Sequence, residues 1–245
     1  MIYITGDTHG LKDIAKFNSK YFKDVVNKKE NYLIITGDVG ITWNQETMKK
    51  CVALYENMNC TVLFIDGNNE NFDILDKFSV SKFAGGNVHK LGKNIYHLMR
   101  GEIFDIDGVS FLAFGGADSW DAPHRCPQTS RVEGVSFWKR ECPNKEEFEN
   151  ALNNLEKRQN QVDFILTHEG PSKIANAFYS GAYKTSKMLD VILKNTKYKF
   201  WFCGHHHHNR TFEEGIKCIF DDFDCINDYL KLQAKFHTNE DIKNL

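Results

Sequence analysis

Five short apolar runs in this chain each stop at a glycine, carboxylate, amide or imidazole residue. They are Ile2–Thr5 before Gly6-Asp7, Tyr32–Thr36 before Gly37-Asp38, and Thr61–Ile65 before Asp66-Gly67-Asn68. Two more follow, Phe164–Thr167 before His168 and Lys199–Cys203 before Gly204-His205. Continuous runs rich in β-branched and aromatic residues suit strands covered on both faces. Between them the pattern predicts helices over 11–29, 45–59, 144–160 and 185–195, the third preceded by Pro143. This alternation implies an α/β fold with short connections. Glu102–Ile106 and Val109–Phe114 flank Asp107-Gly108 as a hairpin would, and Arg210–Glu214 and Ile216–Phe220 repeat the pattern around Gly215. The sheets are therefore expected to be mixed rather than purely parallel.

With 245 residues, 41% of them hydrophobic, the chain can bury one sizeable core, and a single domain over residues 1–245 is expected. There is no internal repeat, low-complexity tract or linker. Residues 117–142 have little periodicity and many polar and aromatic residues, which marks an active-site loop or lid. The tail after Asp228 reads as a terminal helix. A net charge of −2 gives no broad reason to expect nucleic acid or a membrane as partner. Seven cysteines form no C-x-x-C pair and are expected as mostly buried free thiols in a reducing compartment. The first strand begins at residue 1 or 2, which leaves no room for a cleavable signal peptide. No apolar run approaches a membrane span, so the cytoplasm is the expected location.

The polar residues at the strand ends carry the chemistry. In α/β sheets ligands bind beyond the carboxyl ends of the strands, so five loops can converge on one crevice. Glycine beside each group permits tight turns and close backbone approach. Asp7, His9, Asp38, Asn68, His168, His205 and His207 supply carboxylates, imidazoles and one amide. That set suits a divalent ion such as Mn, Fe, Zn, Ni or Co, and the absence of a thiolate disfavours a structural zinc site. Seven ligands exceed what one tetrahedral ion needs, which implies two ions. Two ions about 3.5–4 Å apart can clamp the attacking and leaving oxygens of a phosphoryl displacement. One carboxylate must then bridge them, and Asp38, alone in its loop, is the natural choice. Singly, an Asp-x-His or a Gly-Asp is more often a turn or cap; the ordered set at strand ends is what such readings do not produce.

In the order Asp7-Thr8-His9, Gly37-Asp38, Gly67-Asn68-Asn69-Glu70, His168 and Gly204-His205-His206-His207, the chain resembles the calcineurin-like metallophosphoesterase superfamily. Its middle segment, with Gly115-Gly116-Ala117 and Ser119-Trp120-Asp121, resembles that of small bacterial or phage-type members. The resemblance implies a four-layer α/β/β/α sandwich of two mixed sheets, with two metals at the carboxyl ends of the strands. It further implies that Asp7, His9 and His207 hold one ion and Asn68, His168 and His205 the other, with Asp38 shared. Manganese is the favoured metal. Where the family motif has His, this chain has Asn69. The resemblance implies that this His acts as general acid toward the leaving oxygen or stabilises the transition state, whereas Asn can donate a hydrogen bond but has no titrating proton. General-acid help contributes about 10²–10⁴-fold, so Asn69 predicts weakened turnover of poor leaving groups unless another acid serves. His89, His124, His206 and His208 are the stand-ins available. Gly37-Asp38-Val39-Gly40 lacks the Asp-Arg-Gly extension of Ser/Thr protein phosphatases, which disfavours that activity. In the 117–142 segment Arg125, Arg131 and Trp138 could hold a phosphate or stack on a base, and Arg131 is taken as a substrate-binding residue.

The leading expectation is a hydrolase of phosphate mono- or diesters acting on a phosphorylated small molecule or nucleotide. One alternative is a metal-binding scaffold weakened by Asn69. Another is a nuclease, against which the near-neutral charge counts because polyanion affinity rests on Lys and Arg.

Overall fold

The computed structural model describes residues 1–178 and 182–235. The first half runs β1 (Ile2–Thr5), α1 (Lys20–Val26), β2 (Tyr32–Ile35), α2 (Gln45–Glu56), β3 (Thr61–Phe64) and α3 (Phe72–Leu75). It continues through β4 (Val80–Phe83), β5 (Gly86–Lys90), β6 (Ile95–Leu98), β7 (Glu102–Ile106) and β8 (Val109–Phe114). After a long irregular stretch come α4 (Lys145–Lys157), β9 (Phe164–Thr167), α5 (Ser172–Phe178) and α6 (Lys184–Asn195). β10 (Phe200–Cys203), β11 (Arg210–Phe212), β12 (Ile216–Cys218) and β13 (Phe223–Cys225) complete the fold.

Two mixed sheets result. One has the strand order β13-β1-β2-β3-β6-β5-β4, the other β11-β12-β10-β9-β8-β7. In the first, β1, β2, β3 and β6 are parallel while β13, β5 and β4 pair antiparallel at its edges. In the second, β12, β10, β9 and β8 are parallel, with β11 and β7 antiparallel at the flanks.

Side-chain alternation along each strand creates three apolar layers. Ile2, Ile4, Ile34 and Leu63 face Phe104, Phe111, Phe164 and Phe202 between the sheets. Tyr3, Leu33, Ile35, Val62 and Phe64 point the other way, onto Phe22 and Val25 of α1, Cys51 and Tyr55 of α2 and Phe72 of α3. On the far side Leu112, Phe114, Ile165 and Trp201 pack on Leu155 of α4, Ile174 of α5 and Leu189 and Ile192 of α6. The architecture is the expected four-layer α/β/β/α sandwich. Each fully buried Phe contributes about 1.5–3 kcal/mol relative to exposure, so the inter-sheet layer is a principal stabilising element.

Several local expectations need correction. The helix expected over 11–29 is broken into a 3₁₀ turn at Ala15–Asn18 and α1, because extended Ser19 caps α1 by accepting from Phe22 N. β4 was not foreseen because its first three residues are exposed, as befits an edge strand lacking an apolar signature. Residues 229–235 form turns and an antiparallel bridge between Tyr198 and Lys235 rather than a helix. The rest of the expected terminal helix lies outside the described residues. Cys51, Cys60, Cys203 and Cys218 are buried and all seven cysteines are free, whereas Cys126, Cys142 and Cys225 are partly exposed. No helix among the described residues is long and apolar enough to cross a membrane.

Candidate metal centre

The loops leaving β1, β2, β3, β9 and β10 meet at one end of the sandwich. Among the described residues they bring together two groups, Asp7 with His9 and His207, and Asp38 with His168 and His205. Within each group the ligand atoms all lie within 4.8 Å of one another. His207 Nε2 is 3.3 Å from Asp7 Oδ2. Asp38 touches both groups: its Oδ2 is 3.2 Å from His9 Nε2 and its Oδ1 is 3.2 Å from His168 Nε2. Asn68 Oδ1 is 3.2 Å from the same His168 nitrogen. All seven residues singled out as ligands in the sequence thus meet in the structure.

Holding them there strains the backbone. His9, Asp38, His205 and His207 have φ of 42°, 46°, 65° and 51°. Non-glycine residues rarely adopt positive φ, and such conformations persist only where surrounding contacts over-determine them. Glycines make the approach sterically feasible. A Cβ on Gly67 would lie 2.0 Å from Asp38 Oδ1, and one on Gly204 would lie 2.4 Å from Asp7 Oδ1.

A surrounding layer of contacts aims these ligands. His9 Nδ1 is 2.7 Å from Asp13 Oδ2, and His168 Nδ1 is 2.8 Å from the Thr36 carbonyl. Each contact takes Nδ1–H as donor and leaves Nε2 as the candidate ligand atom. Asn68 donates from Nδ2 to Ser119 Oγ at 3.0 Å, which turns its Oδ1 toward His168. Ser119 in turn donates to buried Glu141. Glu70 accepts from the backbone N–H groups of Val39 and Gly40 at 2.8 and 3.1 Å and so pins the Asp38 loop. Lys16 donates to the carbonyls of Gly6, Asp7 and Phe220, and the Phe220 ring stacks on His207 with centroids 4.7 Å apart. Glu169 Oε1 and Oε2 approach His206 and His205. Sequence reasoning assigned no role to Asp13, Lys16, Glu141, Glu169 or Phe220. The usable signals were Glu169 directly after His168 and Asp13 four residues beyond His9. Glu70 was visible as part of its motif, without an assigned role.

Electrostatics follow from this crowding. Burial alone would raise the Asp7 and Asp38 carboxyls, but His168, with His9 and, at Asp7, His207, outweighs it and holds both below the usual range. Burial likewise opposes charge on His9 and His168, yet the surrounding carboxylates carry them up to about 9 and about 10. Burial keeps His205 down at about 4. The field that retains two imidazolium protons is the one that attracts divalent cations, which would displace those protons on binding. Carboxylate, imidazole and amide donors in two groups sharing one carboxylate fit two such ions.

The four histidines considered as stand-ins for the missing family His are placed elsewhere. His89 is buried against His97. His206 and His208 stack on Phe178, and His124 lies beside Phe137. None of the four lines the two cavities at the centre. Arg131 does line one, but its guanidinium is engaged by the Ser136 carbonyl, Asp121 and Glu141. Arg125 lies over the Tyr183 ring and donates to the Asp118 and Ser119 carbonyls. Trp138 is buried and donates to Asp73, so it is a packing residue. Residues 118–121 form a wall of the same cavity.

No curated protein matches the chain. The family model described as calcineurin-like phosphoesterase matches residues 1–209, a span that holds all seven converging residues and both sheets except β11, β12 and β13. The chain belongs to the calcineurin-like phosphoesterase family.

Proposed function

We propose that the chain is a phosphoesterase that uses two divalent metal ions, manganese by preference, to hydrolyse phosphate mono- or diesters of small molecules or nucleotides. The observation that carries this reading is Asp38, whose two carboxylate oxygens each lie 3.2 Å from an imidazole of a different group. In this reading Asp7, His9 and His207 hold one ion, Asn68, His168 and His205 the other, and Asp38 both. Two ions, when bound, neutralise phosphate charge and lower the pKa of water enough for it to attack at neutral pH. The protein's own residues hold the ligand atoms in place through Asp13, Thr36, Ser119 and Glu70, so little reorganisation accompanies binding. Water attacks phosphorus, the bond to the leaving oxygen breaks, and that oxygen must gain a proton.

Asn69 supports a second reading, a metal-binding scaffold of weak activity. Its amide carries no titrating proton and is turned onto Asp38 Oδ2 at 2.6 Å. One experiment separates the two. The purified chain is incubated with Mn²⁺ and nitrophenyl mono- and diesters, nucleotides and short oligonucleotides, beside Asp38→Ala. Hydrolysis lost in Asp38→Ala supports the enzyme. Inertness of both the native chain and Asn69→His with Mn, Fe, Zn, Ni and Co overturns it in favour of the scaffold.

A further inference from the structure

Two cavities adjoin at the metal-ligand cluster. One, of about 480 Å³, is lined by Asp38, Asn68, His205 and His207 together with aromatic residues. The other, of about 390 Å³, is lined by His9, Gly10, Leu11 and Thr47. Trp43 and Asn69 line both, so the cluster sits where they meet. Each volume falls in the range of about 300–1,000 Å³ typical of small-molecule sites.

Such a layout selects the number of groups on phosphorus. A monoester carries one organic substituent and fills one cavity. A diester carries two, on different oxygens of the phosphate that the cluster would hold. We infer that the substrate is a phosphodiester with one organic arm in each cavity, an inference that rests on the phosphoesterase reading above.

The linings also constrain the arms. The larger cavity presents Trp43 and Trp120, with Trp120 68% exposed at its rim, while Arg125 lies over its Tyr183 ring. Large exposed aromatic surface beside a cavity is suited to stacking on a ring. The same wall carries Asp118, Asp121 and Glu169, its Arg131 is already engaged by two carboxylates, and its Arg125 donates to the Asp118 and Ser119 carbonyls. A polyphosphate chain would meet those carboxylates at close quarters, whereas an uncharged ring-bearing group, nucleoside-like in shape, would not. The smaller cavity is lined by Leu11, Lys12, Thr47 and Lys50, a less aromatic surface than that of the larger one. It suits a shorter arm.

The test compares kcat/KM of the full chain with Mn²⁺ for bis(p-nitrophenyl) phosphate and p-nitrophenyl phosphate, which share a leaving group. The diester is expected to be preferred by at least about tenfold. Thr47→Trp, which narrows the smaller cavity, is expected to lower the diester-to-monoester ratio by about tenfold. Leu11→Trp serves the same purpose should the first variant not fold. A monoester hydrolysed as well as the diester, or a ratio unmoved in a folded variant, overturns the two-armed substrate while leaving a phosphoesterase. Hydrolysis of neither ester by the native chain or by Asn69→His with any of the five metals overturns the phosphoesterase reading itself.

Discussion

Asn69 is bound to Asp38 twice, through its backbone N–H to Oδ1 at 2.7 Å and through its side-chain amide to Oδ2 at 2.6 Å. The residue where the family motif has histidine therefore serves as a donor to the shared carboxylate. A side chain held this way fixes Asp38 but supplies no proton to a leaving oxygen.

Asn69→His restores a titrating group at this position. It is expected to raise kcat for alkyl phosphate esters by about 10²-fold, with much less change for nitrophenyl esters, whose leaving groups need no acid. Steady-state assays on the two ester classes check this. An equal change for both classes would mean that position 69 does not act on the leaving oxygen.

Asp38→Ala removes a carboxylate that touches both ligand groups. It also leaves His9 and His168 without the partner that helps raise them to about 9 and about 10. Calorimetric titration with Mn²⁺ should show loss of tight binding at both positions together, and turnover should fall by at least about 10³-fold. Retention of one tight ion would show that Asp38 belongs to a single group.

Phe220→Ala takes away the ring that lies parallel to His207, the most exposed of the converging imidazoles at 50%. Orienting contacts around a metal ligand are worth about 10–100-fold in affinity. Binding to the group formed by Asp7, His9 and His207 should weaken by about tenfold, with the other group little affected. Two-site titration of native and variant chains distinguishes this from a general loss of structure, which would weaken both.

Acid should loosen the chain through the polar cluster behind the β3 loop. There Asp66 accepts from Arg100 Nε at 2.8 Å and lies 3.0 Å from His97 Nε2. His97 Nδ1 is also 3.1 Å from His89 Nδ1, a contact in which one nitrogen must lack its proton. Burial, reinforced by His97, pushes His89 down to about 4. A histidine depressed on folding contributes stability that is present above its ordinary value of about 6.5 and is lost as pH falls through about 4. Burial opposes ionisation of Asp66, but Arg100 and His97 hold it well below the carboxylate range, so its contribution is lost at still lower pH. Urea midpoints of the metal-loaded chain should fall between pH 6.5 and 4 more steeply than those of His89→Phe. Arg100→Met, which strands a buried carboxylate, should cost about 3–5 kcal/mol at neutral pH.

Much of the fold was readable locally. β1, β7, β8 and β9 fall within the boundaries that apolar runs and the Asp107-Gly108 turn indicated. α4 begins where Asn144, after Pro143, and Glu147 form a capping box. What escaped had weak local signals. β5 carries Asn87, His89 and Lys90 with Val88 as its one apolar side chain, β6 is only four residues long, and the two acquire strand character by pairing. Ser19 interrupts a stretch whose composition otherwise suits one helix.

The sequence by itself determined the ligand chemistry, its order and its place at strand ends, since residue type, glycine punctuation and continuous apolar runs are all local properties. It also marked position 69 as the departure from the family motif. The grouping of these residues followed from the family resemblance and from no local pattern; the tertiary structure realises it by bringing Asp7 to His207 and Asn68 to His168 across the interface between the two sheets. It alone placed Phe220, Ser119 and Lys16 behind the ligands and turned Arg131 onto Asp121 and Glu141. Such contacts form when packing of the two sheets closes loops far apart in the chain, and that closure depends on the whole core rather than on any one segment.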